Sequence, residues 1–373
     1  MKRRSLLGMM LLTGVFLLGC GARTAEDVAG LIRKAGTVHA PDSRLTVWNI
    51  AARRDGRTWV LEGETTSRAG LRQVENTLRA RFPQREIRSR VTVLPDPALG
   101  DSVRGIVTVT VANIRREPSR QAELVSQTVM GAPVDLLKRQ NGFYFCRLED
   151  GYLGWIPDES VRTGDISLVR DWQAGPLLMF REKYGTVYRE PDEESAPVAD
   201  MVMTARVQQV EAAGDWLNVQ LPDGQTGFVP RDQVLDFREF QSTSHDSRHL
   251  VRTAKEMLGI PYLWGGTSAK GFDCSGFTQT VFKMNGFSLP RDAGMQAQEG
   301  VPVDTADGFR HLRIGDLLFF GSARDHITHV GMYLGEGRYI HESGRVKINS
   351  LFPEDPDFNP PRARTLRMVK RVF

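Results

Sequence analysis

The 373-residue sequence predicts an α+β chain of several domains: a small ββαβ unit, two small β-barrels in tandem and a C-terminal α+β domain. Three observations predict it. Segment 116–161 recurs at 189–234 with 14 identities in 46 ungapped positions, where chance gives about three. Ahead of the repeat, two strand-like runs, a helical run and a third strand follow one another between Arg44 and Leu94. Behind it, a cysteine opens a helical pattern and two histidines lie on a later hairpin. With 40% hydrophobic and 25% charged residues, the composition is that of a globular protein and excludes a collagen-like or mostly disordered chain.

The N-terminus has its own logic. Net charge is 49 − 45 = +4, and Lys2, Arg3 and Arg4 supply three of those charges, so about +1 remains without them. That balance gives no ground for nucleic-acid binding. The three cations precede an apolar run from Leu6 to Leu18, too short to span a bilayer comfortably. The pattern reads as an export signal over residues 1–20. Leu17-Leu18-Gly19-Cys20 resembles a bacterial lipobox, which implies lipidation at Cys20 and a membrane-anchored exported protein facing the cell wall or periplasm. An ordinary signal peptide or short anchor is the alternative. Cys146 and Cys274 fall in different domains and are read as unpaired.

Residues 21–43 mix small, charged and polar types and read as a tether. The unit at 44–99 places strands at Leu45–Ile50, Thr58–Gly63 and Ile87–Leu94, with Leu71, Val74, Leu78 and Phe82 at helical spacing between the last two. No chemistry is visible there. The repeats, 100–165 and 166–240, have short β-rich runs between Gly, Pro and Asp turns. Cys146 aligns with Val219 and reads as a buried small hydrophobe. Residues 241–373 form the last domain, opened by a helix through Leu250, Ala254 and Met257 with Asp246 or Ser247 as its cap.

In that domain Phe277, Val281 and Met284 follow Cys274 at helical spacing, so Cys274 sits in a first turn with Asp273 near the N-cap. Such a position favours a thiolate. A cysteine nucleophile needs a base. Thr328–Leu334 alternates like a strand, Gly335-Glu336-Gly337 turns, and Arg338–His341 returns. His329 and His341 share a face only with an odd loop or a bulge, which the glycines permit. His329 then takes the proton from Cys274, and His341 orients its far ring nitrogen.

Residues 247–373 resemble the NlpC/P60 family of papain-like cysteine peptidases. The matching segments are Pro261-Tyr262-x-Trp264-Gly265-Gly266, Asp273-Cys274-Ser275-Gly276-Phe277, Leu289-Pro290-Arg291, Gly315-Asp316-Leu317, His329-Val330-Gly331 and Ile340-His341. The resemblance implies a papain-like α+β fold, Cys274 as nucleophile, His329 as base, His341 as third polar residue and Tyr262 at the developing oxyanion. The repeats, each ending Asp-Gly-x-x-Gly-aromatic-apolar-Pro, resemble bacterial SH3 domains. Two SH3-like domains ahead of such a peptidase resemble the branch that cleaves γ-D-glutamyl-L-diamino acid bonds in peptidoglycan stem peptides. There the first SH3 domain reads the free amine of L-Ala with an acid and a tyrosine, which fall on Glu117 and Tyr152. The second repeat keeps the acid as Glu190 but has Gln225 in place of the tyrosine, so the role falls on the first. Asp273, Ser275 and Asp292 offer further substrate contacts, and Ala293 stands where the branch commonly has serine.

No cofactor is implied. His326 and His329 lie three apart on a strand, hence on opposite faces, and no HExxH accompanies them, so no metal site is expected. Two other classes remain open: an inert peptidoglycan-binding lipoprotein, and an amidase or acyltransferase using the same fold on another substrate. Oligomeric state and the identity of the diamino acid are not written in the sequence.

Overall fold

The structure, a computed structural model, describes residues 16–242 and 246–372, with side chains from Ala25 onward. The expected signal segment up to residue 15 and the Cys20 side chain lie outside the described residues. Among the described residues no helix is long and apolar enough to cross a membrane. The chain divides into residues 1–97 and 98–373.

In the first unit helix α1 (Phe16–His39) precedes strands β1 (Trp48–Asp55) and β2 (Thr58–Thr65), helix α2 (Arg68–Arg81) and strand β3 (Glu86–Val93). β1 and β2 form an antiparallel hairpin, and α2 carries the chain across to β3, parallel to β2. Ser67 caps α2 by accepting the Gly70 N–H at 3.2 Å. Trp59, Leu61, Leu71, Val74, Leu78 and Phe82 make the core. The tether reading of residues 21–43 is corrected here. Val28, Ile32 and Ala35 of α1 are buried in that same core. One small residue of that stretch serves packing: a Cβ on Gly36 would stand 2.6 Å from the indole nitrogen of Trp48.

The second unit opens with the two repeats. The first holds β4 (Arg104–Val107), β5 (Val111–Arg115), β6 (Leu124–Val129), β7 (Pro133–Gln140), β8 (Phe143–Arg147), β9 (Leu153–Pro157) and β10 (Val161–Gly164). Helix α3 (Ile166–Ala174) leads to β11 (Leu177–Phe180), β12 (Tyr184–Tyr188), β13 (Pro197–Val202), β14 (Arg206–Ala213), β15 (Trp216–Gln220), β16 (Thr226–Pro230) and β17 (Val234–Asp236). The orders β10-β4-β7-β8-β9-β5-β6 and β13-β12-β16-β15-β14-β11-β17 are one order read from opposite ends, so the duplication extends to topology. The end strands of each seven-stranded sheet do not pair with each other, so each small SH3-like sheet is left open along one seam. Cys146 and Val219 occupy equivalent buried positions on β8 and β15, and burial pushes the Cys146 thiol far up.

Helix α4 (Phe237–Ser242) leads to the last domain: α5 (Ser247–Glu256), the short pair β18 (Thr267–Ser268) and β19 (Gly271–Phe272), α6 (Cys274–Lys283), α7 (Ala293–Gln296), β20 (Val301–Pro302), β21 (Leu317–Ala323), β22 (His326–Gly335), β23 (Arg338–Glu342), β24 (Val346–Ser350), α8 (Pro360–Ala363) and β25 (Leu366–Arg371). Six strands form one antiparallel sheet, β20-β25-β21-β22-β23-β24. Phe277 and Val281 of α6 and Leu250 and Ala254 of α5 share a core with Val330, Met332 and Ile340 of the sheet. Phe320, Tyr333 and Tyr339 belong to the core on the other face. Each fully buried side chain of this size contributes roughly 1.5–3 kcal/mol, which fixes α6 against β22 and β23.

Candidate active site

The hairpin decides the histidine geometry. Met332 pairs with Ile340 and Tyr333 with Tyr339, but Gly335 pairs with Arg338, so Leu334 is an extra residue on β22. The tight turn that follows holds Glu336 at φ +52° and Gly337 at φ +72°. Paired in regular register, Leu334 would turn His329 and His341 to opposite sides of the sheet; bulged, it lets them share a face, and His329 Nε2 lies 2.8 Å from His341 Nδ1. His341 Nε2 in turn lies 2.9 Å from Asn349 Oδ1 on β24.

Cys274 is the first residue of α6 and is buried. The ladder between β22 and β23 begins only at Met332 and Ile340, and the Val330 N–H hydrogen-bonds the Cys274 sulfur. The nucleophile thus meets the strand one residue from His329. The helix-terminal position predicts a thiolate, yet burial dominates. Desolvation, with the Asp273 carboxylate adding to it, pushes the thiol up to about 11 against the pull of the Val330 N–H, Arg291 and the Ser275 N–H. Burial likewise holds His329 well below the usual histidine range, reinforced by Arg362, His341 and Lys347. Burial thus works against both the thiolate and the imidazolium, opposing the pull of the helix start on the sulfur.

Asp273 caps α6, accepting the Gly276 N–H at 2.7 Å and the Gly265 N–H at 3.1 Å. Arg291, 1% exposed, binds both Asp273 oxygens at 2.5 and 3.1 Å, the Ser275 hydroxyl at 3.1 Å and the Ser126 hydroxyl of β6 at 3.1 Å. Asp273 and Ser275, expected to touch substrate, are therefore buried, and these hydrogen bonds engage them within the protein. The role of Arg291 was missed because a motif arginine gives no sign of its partners.

Tyr262 stands at the cleft, 39% exposed. Burial of its hydroxyl, then the nearby Cys274 and Asp273, push it up to about 12, so it remains a proton donor at neutral pH. The next loop residues dock on the first repeat: Trp264 Nε1 donates to Glu123 at 3.0 Å, and Glu123 pairs with Arg116 at 2.6 Å. The Tyr152 hydroxyl donates to Asp292 Oδ2 at 3.2 Å, joining the two domains. Glu117 is exposed beside Arg116, just after β5. Asn349, unmarked in the sequence reading, lies two residues along β24 from Lys347, the register partner of His341. His326, His311 and His249 are exposed, and His245 lies outside the described residues.

A cysteine at a helix start, held by the backbone one residue from a histidine that a second histidine partners on an antiparallel sheet, fits a cysteine hydrolase of the papain-like class. Comparison with known proteins gives the family. Residues 259–356 match the NlpC/P60 family and residues 114–161 the bacterial dipeptidyl-peptidase SH3 domain. The chain carries a cysteine peptidase domain of the NlpC/P60 family behind a dipeptidyl-peptidase-type SH3 domain. It is 33% identical over 212 residues to a γ-D-glutamyl-L-lysine dipeptidyl-peptidase of Bacillus cereus, covering 56% of this chain and 61% of that one. Dipeptidyl-peptidase 6 of Lysinibacillus sphaericus is 29% identical over 282 residues, 73% of this chain and 100% of the relative. The match thus spans about three fifths of the Bacillus cereus relative and the whole of the second. In fold, the crystal structure of an NlpC/P60 family protein from Bacillus cereus superposes with a TM-score of 0.63 at 24% identity, over 72% of this chain and 99% of that one.

Proposed function

We propose that this chain is an exported cysteine peptidase that hydrolyses the γ-D-glutamyl-L-diamino acid bond of peptidoglycan stem peptides bearing a free N-terminal L-Ala, anchored to a membrane by lipid at Cys20. The observation that carries the reading is the contact of the first SH3-like repeat with the segments on either side of α6, Tyr152 on Asp292 and Glu123 on Trp264. The Tyr152 phenol, the Asp292 carboxylate and the exposed Glu117 are the groups this reading assigns to a short peptide's ammonium. The γ-D-glutamyl-L-lysine bond named for the Bacillus cereus relative supports the bond type.

In this mechanism the Cys274 sulfur attacks the γ-carbonyl of D-Glu while its proton passes to His329. Tyr262 and a backbone N–H at the start of α6 hold the oxyanion. His329 returns the proton to the amine of the departing diamino acid, leaving a thioester on Cys274. Water, deprotonated by His329, cleaves the thioester and restores the thiol. Asp273, Ser275 and Arg291 support the helix start.

The test is mass-spectrometric analysis of L-Ala-γ-D-Glu-L-Lys, its diaminopimelate counterpart and the N-acetylated form of each. Release of L-Ala-γ-D-Glu is expected from the free-amine peptides, with N-acetylation slowing it about tenfold or more through loss of a charge-assisted contact. Absence of cleavage, or full activity in Cys274→Ala, would overturn the proposal.

A further inference from the structure

Between the catalytic histidines and the far edge of the sheet runs a chain of hydrogen bonds with a direction. Asn349 Nδ2 donates to the backbone carbonyl of Asp357 at 2.5 Å, and this contact fixes the amide so that Oδ1 faces His341. A carbonyl oxygen only accepts, so His341 Nε2 carries a hydrogen. In a neutral ring the lone pair then sits on Nδ1, the atom 2.8 Å from His329 Nε2. His329 Nε2 must donate, and the nitrogen left without a proton is Nδ1. The two rings stand at 89°, each holding the other's edge.

We infer that Asn349 is a positioning residue for catalysis: it fixes the Nε2–H tautomer of His341, which makes His341 an acceptor for His329 and leaves His329 Nδ1 as the base for Cys274. The inference rests on the proposed roles of Cys274 and His329, but not on the substrate. The choice of an amide suits the surroundings of His341. Arg362 of α8, over the Phe320 ring at 5.6 Å, and Lys347, its register partner on β24, oppose an imidazolium there. Tyr339 packs on its ring at 4.9 Å, and His329 covers its remaining nitrogen. Burial first, then these two cations, hold His341 down at about 4 against the raising effect of the Asn349 hydrogen bond. His341 therefore stays neutral and keeps its Nδ1 lone pair at neutral pH. Without Asn349 nothing selects that tautomer. A proton on His341 Nδ1 would meet the Nε2–H of His329 donor to donor, and His329 would have to turn its own N–H toward the sulfur.

The test compares wild type, Asn349→Ala and Asn349→Asp in the full chain, with folding checked by circular dichroism. The first readout needs no substrate: the rate of Cys274 alkylation by iodoacetamide against pH. The second is kcat and KM on L-Ala-γ-D-Glu-L-Lys. Asn349→Ala is expected to lower both the alkylation plateau and kcat by about 10- to 100-fold, with KM little changed. In Asn349→Asp the carboxylate still accepts from Nε2, so activity recovers, while its charge favours protonated His341 and moves the acid limb of both profiles to higher pH. Wild-type alkylation by a folded Asn349→Ala across the whole pH range would overturn the inference, as would an Asp variant that neither recovers nor shifts. Intact wild-type alkylation without peptide cleavage would instead count against the proposed substrate, and the alkylation arm alone would then decide the role of Asn349.

Discussion

Glu342 shows what a single residue can contribute when burial sets its charge. It follows His341 on β23 and points to the other face of the sheet, the one Ile340 shares with α6. It is fully buried, and neither carboxyl oxygen has a hydrogen-bond partner among the described residues. Desolvation pushes the carboxyl up to about 8, Lys347 opposes the rise and Asp273 adds to it. An ordinary glutamate titrates near about 4.3, so the folded protein holds this proton far more tightly than the unfolded chain. Its contribution to stability is full below about pH 4.3 and is lost as pH rises through about 8. Glu342→Gln mimics the protonated acid at every pH. Thermal melting at pH 5 and pH 9 is expected to show a small gap from wild type at pH 5. At pH 9 the variant should be the more stable by about 1–3 kcal/mol, the cost of an unsatisfied buried group. An equal gap at both pH values would mean that Glu342 does not titrate as described. Nothing in the sequence announces this residue, because burial is a property of the assembled sheet.

At the scale of elements, much could be read and the misses have physical causes. The helix behind Cys274 and the hairpin carrying both histidines follow from apolar spacing, and the need for a bulge followed from the two-residue period of a strand. The bulge's position at Leu334 did not follow, since any residue near the turn satisfies the parity. α1 was missed because Gly30 and Gly36 lower its intrinsic helix propensity, although Val28, Ile32 and Ala35 keep a helical spacing. Tertiary contact with Trp48, which needs the small residue at position 36, outweighs that propensity. The hairpin gives the sharpest prediction at this scale. Deleting Leu334 removes the bulge but leaves Met332 paired with Ile340 and Tyr333 with Tyr339, so His329 and His341 keep one face. Cleavage and iodoacetamide reactivity at neutral pH are both expected to stay near wild type. Circular dichroism on the same sample checks folding, and a folded deletion variant that loses about 1,000-fold, the scale set by losing a member of a catalytic triad, would refute the parity argument.

At the scale of the whole second unit, the first repeat supports the nucleophile as well as covering it. Gln127 of β6 accepts from the Thr267 N–H at 3.1 Å and the Ser268 hydroxyl at 3.2 Å, and donates to Asn113 at 3.0 Å. Its own carbonyl accepts from the Thr267 hydroxyl at 3.1 Å. Thr267 then accepts from Thr280 of α6 at 2.9 Å, so a path of hydrogen bonds runs from the repeat to the helix that begins with Cys274. No sequence pattern links residues 127 and 267, whose pairing exists only once two folded domains meet. Gln127→Leu keeps a similar volume and leaves the Thr267 N–H and Ser268 without a partner from the repeat. The expected cost is about 2–4 kcal/mol, taking about 1–2 for each orphaned group, and appears as a melting point several degrees lower. Because the same loop carries Tyr262 and Trp264, kcat should fall about tenfold at temperatures where the variant remains folded, while Cys274 still alkylates. A melting point and kcat both equal to wild type would show that the repeat covers the cleft without supporting it.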